Sequence, residues 1–144
     1  MSSVLPTPAA LVLTGIHHVA IIAADYERSK RFYTEVLCLP VLHEHYRAER
    51  QSYKLDLQLP DGTQLELFSF PLPPPRPSYP EACGLRHLAL RVADMETSLQ
   101  WLATCSVVAE PVRTDPVTGA AFTFIADPDG LPIELVGPEP CPRG

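Results

Sequence analysis

The chain writes one eleven-residue phrase twice. GIHHVAIIAAD at 15–25 returns as GLRHLALRVAD at 84–94, an offset of 69 that lays Gly84 on Gly15, His87 on His18, Ala89 on Ala20 and Asp94 on Asp25. Inside each copy the apolar residues form a near-continuous run bounded by Gly and Asp, the pattern of a mostly buried strand. The closing Asp stands where a helix needs an N-cap to accept the free amides of its first turn. Apolar residues then recur at helical intervals: Tyr26, Tyr33 and Leu37 with Phe32 and Val36 beside them in the first copy, and Met95, Leu99 and Leu102 in the second. Each set predicts an amphipathic helix of about three turns.

Three strand-like stretches follow each helix, at 40–47, 52–60 and 63–70 and again at 106–113, 120–126 and 131–137. The turns before the last strands also match, because PDGTQLELF at 60–68 lies over PDGLPIELV at 128–136 and places Glu134 on Glu66. Asp-Gly supplies the positive φ that a tight hairpin requires. The expected architecture is α+β, two tandem strand–helix–strand–strand–strand modules over 15–70 and 84–137. A repeat this short cannot bury its own apolar face and has to pair with another. The extension 1–14 precedes the modules and a tail at 138–144, expected to be disordered, follows them. Between them the linker 71–83 opens with PLPPPRPSYP, six prolines in ten residues, which predicts a stiff spacer.

Bulk properties exclude several classes. The length of 144 residues suits one domain with a real core, and no apolar run reaches membrane-spanning length. A net charge of −6 argues against a nucleic-acid footprint. The opening MSSVLPTPAALVLTG lacks a basic start and makes a poor secretory signal. Cys38, Cys83, Cys105 and Cys141 show no metal-binding or redox spacing, so they read as reduced thiols of a cytoplasmic protein.

Strand alternation puts His18 on a face with Ala20 and Ile22, and His87 with Ala89 and Arg91. Glu66 shares its face with Gln64 and Phe68, and Glu134 with Pro132 and Val136. A single His in an apolar strand is more often a hydrogen-bonded core residue than a ligand, and a single strand-end Glu more often a solvated charge. Here the carboxylates sit in apolar runs, where an unpaired charge is costly. The His-to-Glu separations are 48 and 47 residues. If a pseudo-twofold axis relates the modules, the pairs converge into an N2O2 set that suits Zn, Ni, Fe, Co or Mn. His17 alternates to the opposite face, has Arg86 as its counterpart and reads as structural.

Taken together, HHVAIIAADYERSKRFYTEVL, QLELF, GLRHLAL and DPDGLPIELV resemble the vicinal oxygen chelate superfamily over residues 15–137. That superfamily holds glyoxalase I, bleomycin-resistance proteins, fosfomycin-resistance thiol transferases, methylmalonyl-CoA epimerase and extradiol dioxygenases. The resemblance implies a curved mixed-sheet cup with one divalent metal per site, and puts the ligands at His18, Glu66, His87 and Glu134. Within the superfamily a Glu at the second ligand position follows glyoxalase I. The implied chemistry is Lewis-acid isomerisation of a small α-oxo, α-hydroxy or thiol-adduct substrate through an enediolate, with Glu66 or Glu134 shuttling the proton.

Departures from that pattern bear on the substrate. Glutathione-dependent glyoxalase I carries an Arg four places after its first His and an Asn four places after its first Glu, where this chain has Ile22 and Phe70. Arg91, Arg113, Lys54 and Asp56 are the substrate-binding candidates, against plain surface or ion-paired roles for the arginines and a water-facing strand for Lys54 and Asp56. The alternatives are a metal-free ligand-sequestering protein like the bleomycin-resistance proteins, or a thiol transferase or dioxygenase of the same superfamily. Glu66 weighs against the last two, and four retained ligand positions weigh against the first. The resemblance further implies a homodimer, and the sequence leaves open whether each site lies within one chain or between two.

Overall fold

A computed structural model describes residues 5–140. The two modules form as expected. The first runs β1 (His18–Ala23), α1 (Tyr26–Arg31), β2 (Val41–Arg47), β3 (Ser52–Gln58) and β4 (Gln64–Ser69). The second runs β5 (Leu88–Arg91), α2 (Met95–Thr104), β6 (Arg113–Thr114), β7 (Ala121–Ala126) and β8 (Pro132–Val136). Each makes its own four-stranded mixed sheet, in the orders β1-β4-β3-β2 and β5-β8-β7-β6. The first strand of each pairs parallel with the last, and the remaining ladders are antiparallel.

Both caps are where the sequence puts them. Asp25 accepts the Arg28 amide at 3.1 Å, and Asp94 accepts the Thr97 amide at 2.8 Å and the Thr97 hydroxyl at 2.6 Å. Past Arg31 the first helix loosens into a π turn over Phe32–Val36, closed by the Leu37 amide on the Phe32 carbonyl at 3.0 Å. The expected strand over 106–113 is a correction: only Arg113–Thr114 pair, with β7. Pro111 has no amide to donate and Ser106 takes a positive φ of 58°, so this segment cannot hold a continuous ladder.

The helices pack on one face of each sheet and leave the other open. Ile21, Ala23, Leu55, Leu57, Leu65 and Leu67 of the first sheet join Tyr26, Phe32 and Tyr33 in the core, which continues through Leu102, Ile125, Ile133 and Leu135. Among the described residues, polar contacts at four positions cross between modules. Tyr33 donates to Asp127 at 2.7 Å, the Ala24 amide meets Asp129 at 3.2 Å, the Ser29 hydroxyl donates to Asp129 at 3.4 Å, and the indole of Trp101 donates to the Val36 carbonyl at 2.8 Å. Among the described residues no strand ladder joins the two sheets, so β1 and β5 each keep one free edge. In the linker, Arg76 donates to the carbonyls of Leu85 and Arg86 at 2.7 and 3.0 Å, binding the proline run to the entry of β5. Among the described residues Cys38, Cys83 and Cys105 are free thiols; Cys141 and the tail residues 141–144 lie outside them.

Candidate functional site

Register builds the site. In the first sheet His18 lies opposite Gln64 and Ala20 opposite Glu66 across a parallel ladder, so His18 and Glu66 rise from the same face one step apart. His18 Nδ1 stands 3.2 Å from Glu66 Oε2. In the second sheet Ala89 lies opposite Glu134, and His87, one residue before β5, reaches the same face. His87 Nε2 stands 3.0 Å from Glu134 Oε2. The two sheets thus repeat one His/Glu pair at equivalent register. Within one chain the pairs remain apart: among the described residues no three His, Cys, Asp or Glu side chains gather closely enough to hold an ion.

The surroundings of the two pairs differ. Glu66 is buried and its second oxygen, Oε1, lies 3.4 Å from Lys54 Nζ. The same ammonium is 3.4 Å from Asp56 Oδ1, yet that buried oxygen accepts no hydrogen bond from the described residues. Asp56 faces Glu66 across the β3–β4 ladder, and His43 faces Asp56 from β2. Lys54 and Asp56 therefore stand on the site face rather than on an outer surface. Sequence reading missed His43, although its alternation on β2 with respect to Asp56 was the available signal. His17 was read as structural; its Nδ1 meets Nδ1 of His18 at 2.9 Å.

Around the second pair the wall is aromatic. The His87 ring stands edge-on to Phe124 with centroids 5.1 Å apart. Arg113 lies over Phe122 at 5.1 Å and over Phe124 at 5.9 Å. His87, Phe124 and Arg113, with Arg76, Tyr79 and Arg86, line a cavity of about 480 Å³. Arg91 is elsewhere, in a second cavity of about 610 Å³ that it shares with Asp61 and Leu90. The structure thus brings one of the two candidate arginines, Arg113, to the His87 pair and places the other away from it.

The family model for the Glyoxalase/Bleomycin resistance protein/Dioxygenase superfamily matches residues 15–135. The uncharacterized protein YwkD of Bacillus subtilis is 54% identical over 125 residues, covering 87% of this chain and 98% of that one. The uncharacterized protein YaeR of Escherichia coli is 52% identical over 125 residues, covering 87% and 97%. The crystal structure of a glyoxalase family protein from Enterococcus faecalis superposes with a TM-score of 0.78 at 48% identity, covering 85% of this chain and 96% of that one.

Proposed function

The chain belongs to the Glyoxalase/Bleomycin resistance protein/Dioxygenase superfamily, and we propose that within it the protein is a divalent-metal-dependent lyase or isomerase of glyoxalase I type. Its substrate is a small α-oxo, α-hydroxy or thiol-adduct molecule. The observation that carries this reading is the repeated His/Glu pair, 3.2 Å apart in one sheet and 3.0 Å apart in the other. Ligands bound at about 2.1 Å to one ion stand roughly 3 Å from each other when they are adjacent in its shell. The spacing and the donor chemistry therefore both fit, with His18, Glu66, His87 and Glu134 holding Ni, Zn, Fe, Co or Mn.

Bound there, the ion would supply Lewis acidity to two adjacent substrate oxygens. The protein's own groups do the rest. Glu66 and Glu134 carry the carboxylates that take a proton from the carbon next to the oxygens and return it one atom along. Lys54 faces the Glu66 oxygen turned away from His18, and so holds that carboxylate in one orientation. Phe124 and Phe122 supply an apolar wall that keeps water from the reacting carbon.

A full ligand set calls for a second copy. Each chain offers two half-sites, and a homodimer that sets the first sheet of one copy against the second sheet of its partner completes both. The free thiols Cys38 and Cys83 are exposed and suit a reducing, cytoplasmic setting.

The test is metal per chain by elemental analysis on wild type and Glu66→Ala, purified side by side. The reading expects near-stoichiometric divalent metal in the wild type and a clear loss in the variant. A wild type that stays empty after incubation with each ion would overturn it in favour of a ligand-sequestering protein.

A further inference from the structure

Resting on that metal-dependent reading, we infer that the cavity beside His87 is a subsite for a carboxylate at the far end of the substrate, and that Arg113 holds it. The substrate class this names is a small α-oxo or α-hydroxy acid with a second, distal acid group.

The arginines around the cavity differ in what they are free to do. Arg76 spends its guanidinium on the linker: Nη2 donates to the carbonyls of Leu85 and Arg86, and Nε to the Ser78 hydroxyl at 3.1 Å. Arg113 has a single polar contact among the described residues, Nη2 to Glu110 Oε2 at 3.3 Å. Both side chains of that pair are more than half exposed, at 58% and 59%. Exposed pairs of this kind contribute little and exchange readily for a better partner. A guanidinium carries five N–H donors in a planar fork, so most of those on Arg113 remain for an incoming anion.

Position favours the same assignment. Arg113 sits 5.1 Å from the Phe122 ring and 5.9 Å from the Phe124 ring, and it lines the same cavity as His87. His87 stands against that same Phe124 ring. One aromatic ring thus separates the imidazole that would bind metal from the guanidinium that would bind the anion. A molecule chelating through two vicinal oxygens needs only a short carbon chain to span that gap, and about 480 Å³ accommodates one. The lining also carries three arginines, Arg76, Arg86 and Arg113, against two glutamates outside the His87 pair, Glu81 and Glu110. That leaves an excess of positive charge at this mouth in a chain whose net charge is −6.

The experiment compares two α-oxo acids that differ only at the far end. Calorimetric titration of metal-loaded wild type, Arg113→Ala and Arg113→Lys is run with 2-oxoglutarate and with 2-oxopentanoate, and metal content is measured on each sample. Wild type is expected to bind 2-oxoglutarate about tenfold more tightly, the contribution of a charge-assisted hydrogen-bonded pair. Arg113→Ala should bind both acids alike, with its affinity for 2-oxopentanoate and its metal content unchanged. Arg113→Lys should keep part of the preference. Equal affinities in wild type, no binding of either acid, or a preference that survives in Arg113→Ala would each overturn the subsite. Failure of the metal reading looks different: an empty protein that still prefers the diacid through Arg113 keeps the subsite and loses the metal chemistry.

Discussion

The hydroxyl of Tyr33 donates to Asp127 Oδ2 at 2.7 Å, joining the π turn of the first module to the β7–β8 turn of the second in a place closed to water. Burial first, and then the facing Asp127 carboxylate, push the phenol far above its ordinary range, so it remains a donor at every accessible pH. The other Asp127 oxygen is occupied by the amides of Asp129 and Leu131, both at 2.9 Å.

Tyr33→Phe leaves Asp127 Oδ2 buried without a donor. The expected loss is about 1–3 kcal/mol, the cost of stranding a buried acceptor, read as a lower urea midpoint. Trp101 is the sole tryptophan and sits at the same module boundary through Val36. Its emission should therefore report whether the modules loosen before either one unfolds.

Acid should weaken the fold through carboxylates whose folded pKa values are depressed. Asp94 is held low by the hydroxyl and amide of Thr97, Asp61 by Thr63, and Glu44 by Lys30 and then Tyr26. A depressed folded pKa gives stability that is complete above the unfolded value and is lost as pH falls through the folded one. Stability should therefore hold down to the ordinary carboxylate values of 4.5 for Glu44 and 3.8 for the two aspartates, and decline below them. Asp94→Asn keeps an acceptor for the Thr97 amide without a titrating group, so its acid unfolding curve should be shallower than that of wild type.

A divided site makes a complementation experiment decisive. His18→Ala/Glu66→Ala removes one half-site from each chain, and His87→Ala/Glu134→Ala removes the other. Either variant alone should be devoid of metal. Co-expressed with different tags and purified as the mixed dimer, they should regain about one ion per dimer, because one of the two shared sites is then intact. A mixed dimer as empty as its parents would place all four ligands in one chain.

Sedimentation should give a particle of twice the 15.8 kDa chain mass, and dilution to a monomer should release the metal in step.

The repeat made much of this legible. Caps at Asp25 and Asp94, seven of the eight strands and the pairing of each His with its Glu all follow from periodicities of two and 3.6 applied to two copies of one phrase. The segment 106–113 misled because Val107, Val108 and Val112 carry strand preference while Pro111 denies the ladder an amide. Arg76 could not be assigned a direction from sequence, since its partners are carbonyls nine and ten residues away that any folded linker would present. Lys54 was half legible: alternation fixed its face, but its reach to both Glu66 and Asp56 depends on cross-strand register. The separation of the pairs within one chain left no trace in the sequence, because identical spacings arise whether the modules close on themselves or on a partner.

The parallel alignment of Ala20 with Glu66 and of Ala89 with Glu134 also limits how such a chain can change length. Side chains alternate at every step, so a one-residue slip of β4 against β1, or of β8 against β5, would carry the glutamate through to the helix side. A change of length between a histidine and its glutamate therefore has to be absorbed in a loop, as it is where the two modules differ, with 48 residues separating the pair in one and 47 in the other. The proline segment and the approach to Gly84 lie between the two pairs and carry no such restriction, so a change of length there leaves each histidine in phase with its glutamate.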